Sequence, residues 1–176
     1  GMTPILPCFG GHVPKAVEKV FPNIKLSESP SKWNNFPRVW FVDPIDPAFV
    51  QIGERFMQKL QEIYGFDSDE MNYFSCDEYN ENNPSNSTSE YLSASSSNVV
   101  EYISKVNPKG VWVLQGWLFG FGYWHSYPQR VEAYLNGAPK NRLLILDLHS
   151  EDGVLAFDFN SYYGHAFIWC LLHNYG

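Results

Sequence analysis

Short apolar runs alternate with longer amphipathic stretches along the 176-residue chain. Residues 3–9 are a compact apolar run closed by Gly10-Gly11, and residues 14–20 read as a short helix behind it. At Asp46-Pro47 a capping residue precedes proline at the first helical position, which marks a helix start. Phe49, Ile52, Phe56, Leu60 and Ile63 then recur at spacings of three and four, and Gly65 follows as a stop. Residues 71–76 predict a strand and 89–106 a helix that starts from a polar loop. Residues 111–115 predict a buried strand, 129–135 a helix, 143–148 a strand and 167–172 a last strand. A sixth strand is expected near residues 39–42.

Alternating β and α segments with uninterrupted apolar strands predict an α/β fold, a parallel sheet with helices outside it. A doubly wound sheet and a (β/α)8 barrel both fit. No GxGxxG or P-loop glycine pattern follows the first strand, as it often does in nucleotide-binding doubly wound folds. Polar and aromatic groups instead recur just after most strands: Gly11-His12, Asn80-Glu81, Gln115-Gly116-Trp117, His149-Ser150-Glu151 and His173-Asn174. Barrel enzymes collect their chemistry from the C-terminal ends of several strands, so the expectation is a TIM-type barrel. Eight strands with their helices need roughly 250 residues. Five or six of the eight are expected here, with residues 1–176 forming a fragment of a single catalytic domain that lacks strands at both ends. A fragment of that kind, alone, is expected to be unstable and inactive because its strand edges are open.

Composition narrows the function. The chain is 44% hydrophobic, ample for a core, and its net charge is −7 with no basic block. Phosphate backbones are bound by clustered Lys and Arg, so nucleic acid is excluded as a partner. No apolar stretch is long enough to span a membrane. The opening Gly1-Met2-Thr3-Pro4 is not a signal peptide, and a trimmed N-terminus is expected. Cys8, Cys76 and Cys170 show neither CxxC spacing nor a disulfide framework, and each is expected as a small buried hydrophobe. Asn86-Ser87-Thr88 is a glycosylation sequon in a Ser/Asn-rich loop. Aromatic residues make up 17% of the chain, which suits either a core of large side chains or stacking on sugar rings.

The densest polar site directly after a strand is Ser75-Cys76-Asp77-Glu78-Tyr79-Asn80-Glu81-Asn82-Asn83. Glycoside hydrolysis needs one carboxyl to protonate the departing oxygen. A second must attack the anomeric carbon or activate water. Glu81 suits the first task, and Asn80 before it can hydrogen-bond the substituent at sugar C2. The same dipeptide is also what a solvated loop contains. Glu151 is the other strand-end carboxylate, either the second catalytic group or a residue that orients a ligand. Trp117 is a sugar platform or a plug in the barrel mouth, and Trp33 sits in a polar loop without apolar periodicity. His12, His149 and His173 lack the HExxH spacing of a zinc site and are expected as hydrogen-bonding groups near the pocket, with no metal and no cofactor.

Taken in order, several stretches resemble the α-N-acetylglucosaminidases, glycoside hydrolase family 89. They are Gly1-Met2-Thr3-Pro4-Ile5-Leu6-Pro7, Gly11-His12-Val13-Pro14, Val20-Phe21-Pro22, Tyr79-Asn80-Glu81, Gln115-Gly116-Trp117-Leu118-Phe119 and Phe167-Ile168-Trp169-Cys170-Leu171-Leu172-His173-Asn174. The resemblance implies a (β/α)8 catalytic barrel and retaining, exo-acting hydrolysis of terminal α-linked N-acetylglucosamine. Glycosaminoglycans such as heparan sulfate are among the implied substrates, in the lysosome or after secretion. Position by position, it implies Glu81 as acid/base with Asn80 beside it. It also implies Trp33 and Trp117 as aromatic pocket residues, and Leu148 and Leu172 as its apolar wall, with Glu151 and His173 in the binding site. The family's nucleophilic glutamate is expected beyond Gly176, and Glu151 matches a different glutamate. The loops at residues 82–89, 151–153 and 120–127 depart from the family pattern, which leaves leaving-group contacts open. An inactive or truncated carbohydrate-binding homologue is the alternative.

Overall fold

The rim of the sheet is set by two adjacent strands with a long excursion between them. The computed structural model describes residues 1–28, 39–79, 82–148, 150–151 and 153–171. Strand β1 is Ile5–Pro7. The chain then builds a separate three-stranded sheet from β2 (His12–Val13), β3 (Leu26–Glu28) and β4 (Trp40–Val42), with β4 central and both pairings antiparallel. Lys15–Lys19, expected as a helix, is a single 3-10 stretch. The strand expected near residues 39–42 therefore exists but does not join the parallel sheet. A three-residue apolar run looks the same in either sheet, and only its distant partners decide which one it enters.

Helix α1 (Pro47–Tyr64) begins as its sequence requires: the Asp46 carboxylate accepts the Ala48 N–H at 2.8 Å, and Gly65 closes it with φ 64°. The other Asp46 oxygen accepts the Lys25 N–H at 2.9 Å, which ties the small sheet to the helix start. The buried face of α1 matches the expected one only in part. Phe49, Val50, Gly53, Met57 and Leu60 are buried, whereas Ile63 is 67% exposed. Gly53 explains the difference, since a Cβ there would stand 2.5 Å from the Tyr102 ring of the next helix.

Strand β5 (Tyr73–Ser75) pairs in parallel with β1, and α2 (Ser89–Val106) follows, with the Thr88 hydroxyl accepting the Tyr91 N–H. Strand β6 (Val111–Gln115) is almost wholly buried, as an uninterrupted apolar strand covered on both faces must be. A short helix α3 (Gly122–His125), α4 (Pro128–Asn136), β7 (Leu143–Asp147), α5 (Leu155–Asp158) and β8 (Ala166–Trp169) complete the described chain. The sheet order is β1-β5-β6-β7-β8, all parallel. Helices α1, α2 and α4 cover one face of it, and a core of Phe49, Phe74, Tyr102, Trp112 and Tyr134 lies between. Five parallel strands in this arrangement form part of a barrel wall. Before β8, Asn160 to Tyr163 all have φ near +50°, a left-handed turn that buries Tyr162 completely. Nothing in the local sequence forecasts it.

The cysteine expectation needs correcting. Cys8 and Cys76, each directly after one of the paired strands β1 and β5, are joined by a disulfide with Cα atoms 5.1 Å apart. Cys170 stays free. The pairing was invisible in sequence because 68 positions separate the two thiols, and only the β1–β5 adjacency brings them together. Replacing both cysteines by alanine is expected to lower stability by about 2–4 kcal/mol, read as a reduced denaturation midpoint. An unchanged midpoint with or without reductant would show that the bond contributes nothing.

Candidate active site

Because the five strands run parallel, their C-terminal ends share one rim, and among the described candidates Trp117, Leu148 and Glu151 follow strands that end on it. The rim is tightly closed between β6 and β7. A Cβ at Gly116 would meet the Leu146 carbonyl at 2.9 Å, so the turn after β6 has room only for glycine. Trp117 follows it half-buried, its indole N–H donating to its own neighbour Gln115 at 3.2 Å and its ring edge-on to Phe121 at 5.2 Å. Leu148 is buried at the end of β7, and Glu151 is half-buried in the loop that follows. Asn86 is exposed, its side-chain oxygen accepting the Thr88 N–H at 2.9 Å. Asn80, Glu81, Trp33, Leu172, His173 and His149 lie outside the described residues.

The residues on both sides of Asn80-Glu81 are described, and the three before Asn80 are each anchored to a neighbouring element. Asp77 accepts the Gln115 backbone N–H at 3.1 Å. Glu78 accepts the Tyr134 hydroxyl at 2.8 Å. The Tyr79 hydroxyl shares a hydrogen bond of 2.9 Å with Ser95. Trp112 adds a fourth tie, its indole N–H donating to the Cys76 carbonyl at 2.9 Å. Two cavities open against this loop. One, of about 350 Å³, lies between it and the small sheet, with Lys25, Asp43, Glu78 and Tyr91 in its lining. The other, of about 360 Å³, is lined by Tyr79, Asn82, Asn83, Leu118 and Phe121. Tyr79, Asn82 and Asn83 line both cavities. A larger groove of about 910 Å³ runs along α1 and holds no strand-end residue of the parallel sheet.

Burial dominates the electrostatics of the loop. Desolvation pushes the Asp77 carboxyl up to about 6, against the pull of the Gln115 N–H. It pushes the Glu78 carboxyl up to about 8, the Tyr134 hydrogen bond working against the rise and the Asp77 charge adding to it. The Tyr79, Tyr102 and Tyr134 hydroxyls are all raised for the same first reason, burial, with the Glu78 charge contributing. His12 packs at a tilt against the Phe41 ring, with centroids 4.0 Å apart, and burial lowers its pKa. Sequence reading passed over Asp77 and Glu78 because adjacent acids in a polar loop look solvated. The signal that existed was their place directly after a strand. Among the described residues no cluster of three or more His, Cys, Asp or Glu has the form of a metal site. No helix among them is long and apolar enough to cross a membrane.

A family model described as the α-N-acetylglucosaminidase (NAGLU) tim-barrel domain matches residues 1–176. The human protein named α-N-acetylglucosaminidase is 38% identical over 180 residues, a match that takes in 100% of this chain and 24% of the human one. The chain thus spans about a quarter of the length of that relative. Among solved structures, a family 89 glycoside hydrolase from Clostridium perfringens in complex with PUGNAc aligns with TM-score 0.77 and 20% identity. That alignment covers 99% of this chain and 19% of the bacterial one. A doubly substituted form of the Clostridium perfringens protein, in complex with its substrate GlcNAc-alpha-1,4-galactose, aligns at the same TM-score with 19% identity. It covers 99% of this chain and 18% of that protein. At these identities the structural likeness establishes the fold.

Proposed function

Since the chain belongs to the α-N-acetylglucosaminidase TIM-barrel family, we propose that it carries the proton-donating half of a retaining exo-α-N-acetylglucosaminidase site. Residues 1–176 are one part of a single (β/α)8 catalytic domain, whose remaining strands extend the parallel sheet. Glu81 protonates the glycosidic oxygen while a second carboxylate attacks C1. Water then hydrolyses the glycosyl-enzyme with Glu81 acting as base. The second carboxylate comes from sequence following Gly176. The observation that carries this reading is the loop after β5: it leaves a parallel strand at its C-terminal end, is fixed to three neighbouring elements, and passes directly into Asn80-Glu81. Strand ends of this rim are where barrel enzymes place their chemistry.

The substrate's own chemistry requires the second carboxylate. In an α-linked N-acetylglucosaminide the 2-acetamido group is cis to the leaving oxygen. It cannot displace that oxygen from the opposite face, so a retaining reaction needs a nucleophile supplied by the enzyme. Asn80 holds the acetamido group, Trp33 and Trp117 stack on the sugar, Leu148 and Leu172 form the apolar wall, and Glu151 and His173 add polar contacts. Glycosaminoglycans ending in α-linked N-acetylglucosamine, heparan sulfate among them, fit as substrates. A lysosomal or secreted protein is supported by the Cys8–Cys76 bond, which belongs to an oxidising compartment, and by the exposed sequon at Asn86, a candidate glycosylation site. The test is the anomer released first by the full-length enzyme, followed by NMR during turnover of an aryl α-N-acetylglucosaminide. The α-anomer is expected. The β-anomer would replace the retaining mechanism with an inverting one, and no turnover would favour a carbohydrate-binding homologue.

A further inference from the structure

Asp77, Glu78 and Tyr79 are consecutive, yet each is fastened to a different element: Asp77 to β6, Glu78 to α4 and Tyr79 to α2. Glu78 is the least exposed of the three, at 2%. One of its oxygens accepts the Tyr134 hydroxyl. The other has no hydrogen-bond partner among the described residues, and Glu78 is among the residues lining the cavity beside the small sheet. None of the ion pairs among the described residues includes it. The groups that face it are Asp77 and Tyr79 from its own loop, Tyr102 from α2 and Tyr134 from α4. Lys25, Glu28, Asp43 and Tyr91 stand around the cavity. A carboxylate so enclosed, with one phenol as its donor and another carboxyl adjacent, is far better held as the acid than as the anion.

We propose that Glu78 is a positioning residue for Glu81: as an uncharged acid it fastens the loop to α4 through Tyr134, and so sets where the Glu81 carboxyl meets the leaving oxygen. The proposal rests on the acid/base reading of Glu81. Its chemistry is that of a hinge pin. Ionisation of Glu78 places a charge between the sheet and the helices, and the anion escapes only by pulling the loop outward toward solvent. Raised by burial to about 8, the group stays protonated through the acidic range and ionises on the alkaline side. Sugar positioning and proton delivery both tolerate little displacement, so a small outward shift of Glu81 costs turnover before it costs binding.

The experiment compares Glu78→Ala, Glu78→Gln and Tyr134→Phe in the full-length enzyme on two substrates, a GlcNAc-α-linked disaccharide and an aryl glycoside with a strongly acidic phenol. Glu78→Ala is expected to lower kcat and kcat/KM on the disaccharide about 10–100-fold with KM little changed, and to lower kcat/KM on the activated glycoside far less, since the first step there needs no proton. Glu78→Gln, isosteric with the neutral acid and unable to ionise, restores most of that loss and moves the alkaline limb of the kcat profile upward by about one pH unit or more. Equal losses on both substrates, or an alkaline limb that Glu78→Gln leaves in place, would overturn the proposal. Should Glu78→Ala fail to fold, Glu78→Gln and Tyr134→Phe carry the same two readouts. Glu81→Gln run alongside separates the two ideas. If it lacks leaving-group dependence the acid/base reading fails, and if it shows that dependence while the Glu78 variants do not, only the positioning role fails.

Discussion

Glu81→Gln is expected to reduce kcat/KM on a disaccharide substrate by about 10²–10⁴-fold, the usual contribution of a general acid. On an aryl glycoside whose phenol leaves readily the loss at the first step should be small, because such an oxygen departs without a proton. Hydrolysis of the covalent intermediate still needs a base, so the variant should accumulate glycosyl-enzyme and show a burst of phenol followed by slow turnover. A residue that merely lined the pocket would weaken both substrates in similar proportion and give no burst. Equal losses on the two substrates would therefore remove Glu81 from proton transfer.

A second large effect concerns pH and stability. Glu78 is raised to about 8 and Asp77 to about 6, each chiefly by burial, whereas in the unfolded chain both titrate near ordinary carboxyl values. Between the unfolded and folded pKa the unfolded state has given up a proton that the folded state keeps, so stability falls as pH rises through that window. For Asp77 the window runs from about 4 to about 6, and for Glu78 from about 4.5 to about 8. At about 1.4 kcal/mol per pH unit the Glu78 window is worth on the order of 5 kcal/mol. The melting temperature of the full-length protein should be highest near pH 4–5 and decline steadily toward pH 8. Glu78→Gln should flatten most of that decline. A melting temperature constant or rising from pH 5 to 8 would mean that Glu78 is not buried as the acid. A fold most stable in acid also suits the lysosomal alternative among the proposed locations.

The sequence showed the frame of this fold better than its fastenings. The cap at Asp46, the proline after it, Gly65 and the apolar run of β6 are local signals, and each element begins or ends where they place it. What failed depended on pairing across the chain. The run that became β4 is as apolar as a barrel strand but hydrogen-bonds to β2 and β3. Cys8 and Cys76 meet only because β1 skips three strands to pair with β5. The buried face of α1 is partly shifted because Gly53 lets Tyr102 approach, a contact that no periodicity within α1 could reveal. At the site, Trp117 follows the end of β6, and Leu148 and Glu151 follow the end of β7. The role of Glu78 was hidden for a chemical reason. Acids in a loop are normally solvated, and only the α4 phenol and the covering helices turn this one inward.

Azide added to Glu81→Ala in the full-length enzyme, with an activated aryl α-N-acetylglucosaminide as substrate, tests the assignment of Glu81 most directly. With the acid/base gone and the nucleophile intact, the small anion needs no base and attacks the glycosyl-enzyme from the face the phenol left. Accelerated turnover yielding the α-glycosyl azide is the expected result. A β-glycosyl azide would mean that Glu81 is the nucleophile, and no acceleration with wild-type-like turnover would mean that it takes no part in the chemistry.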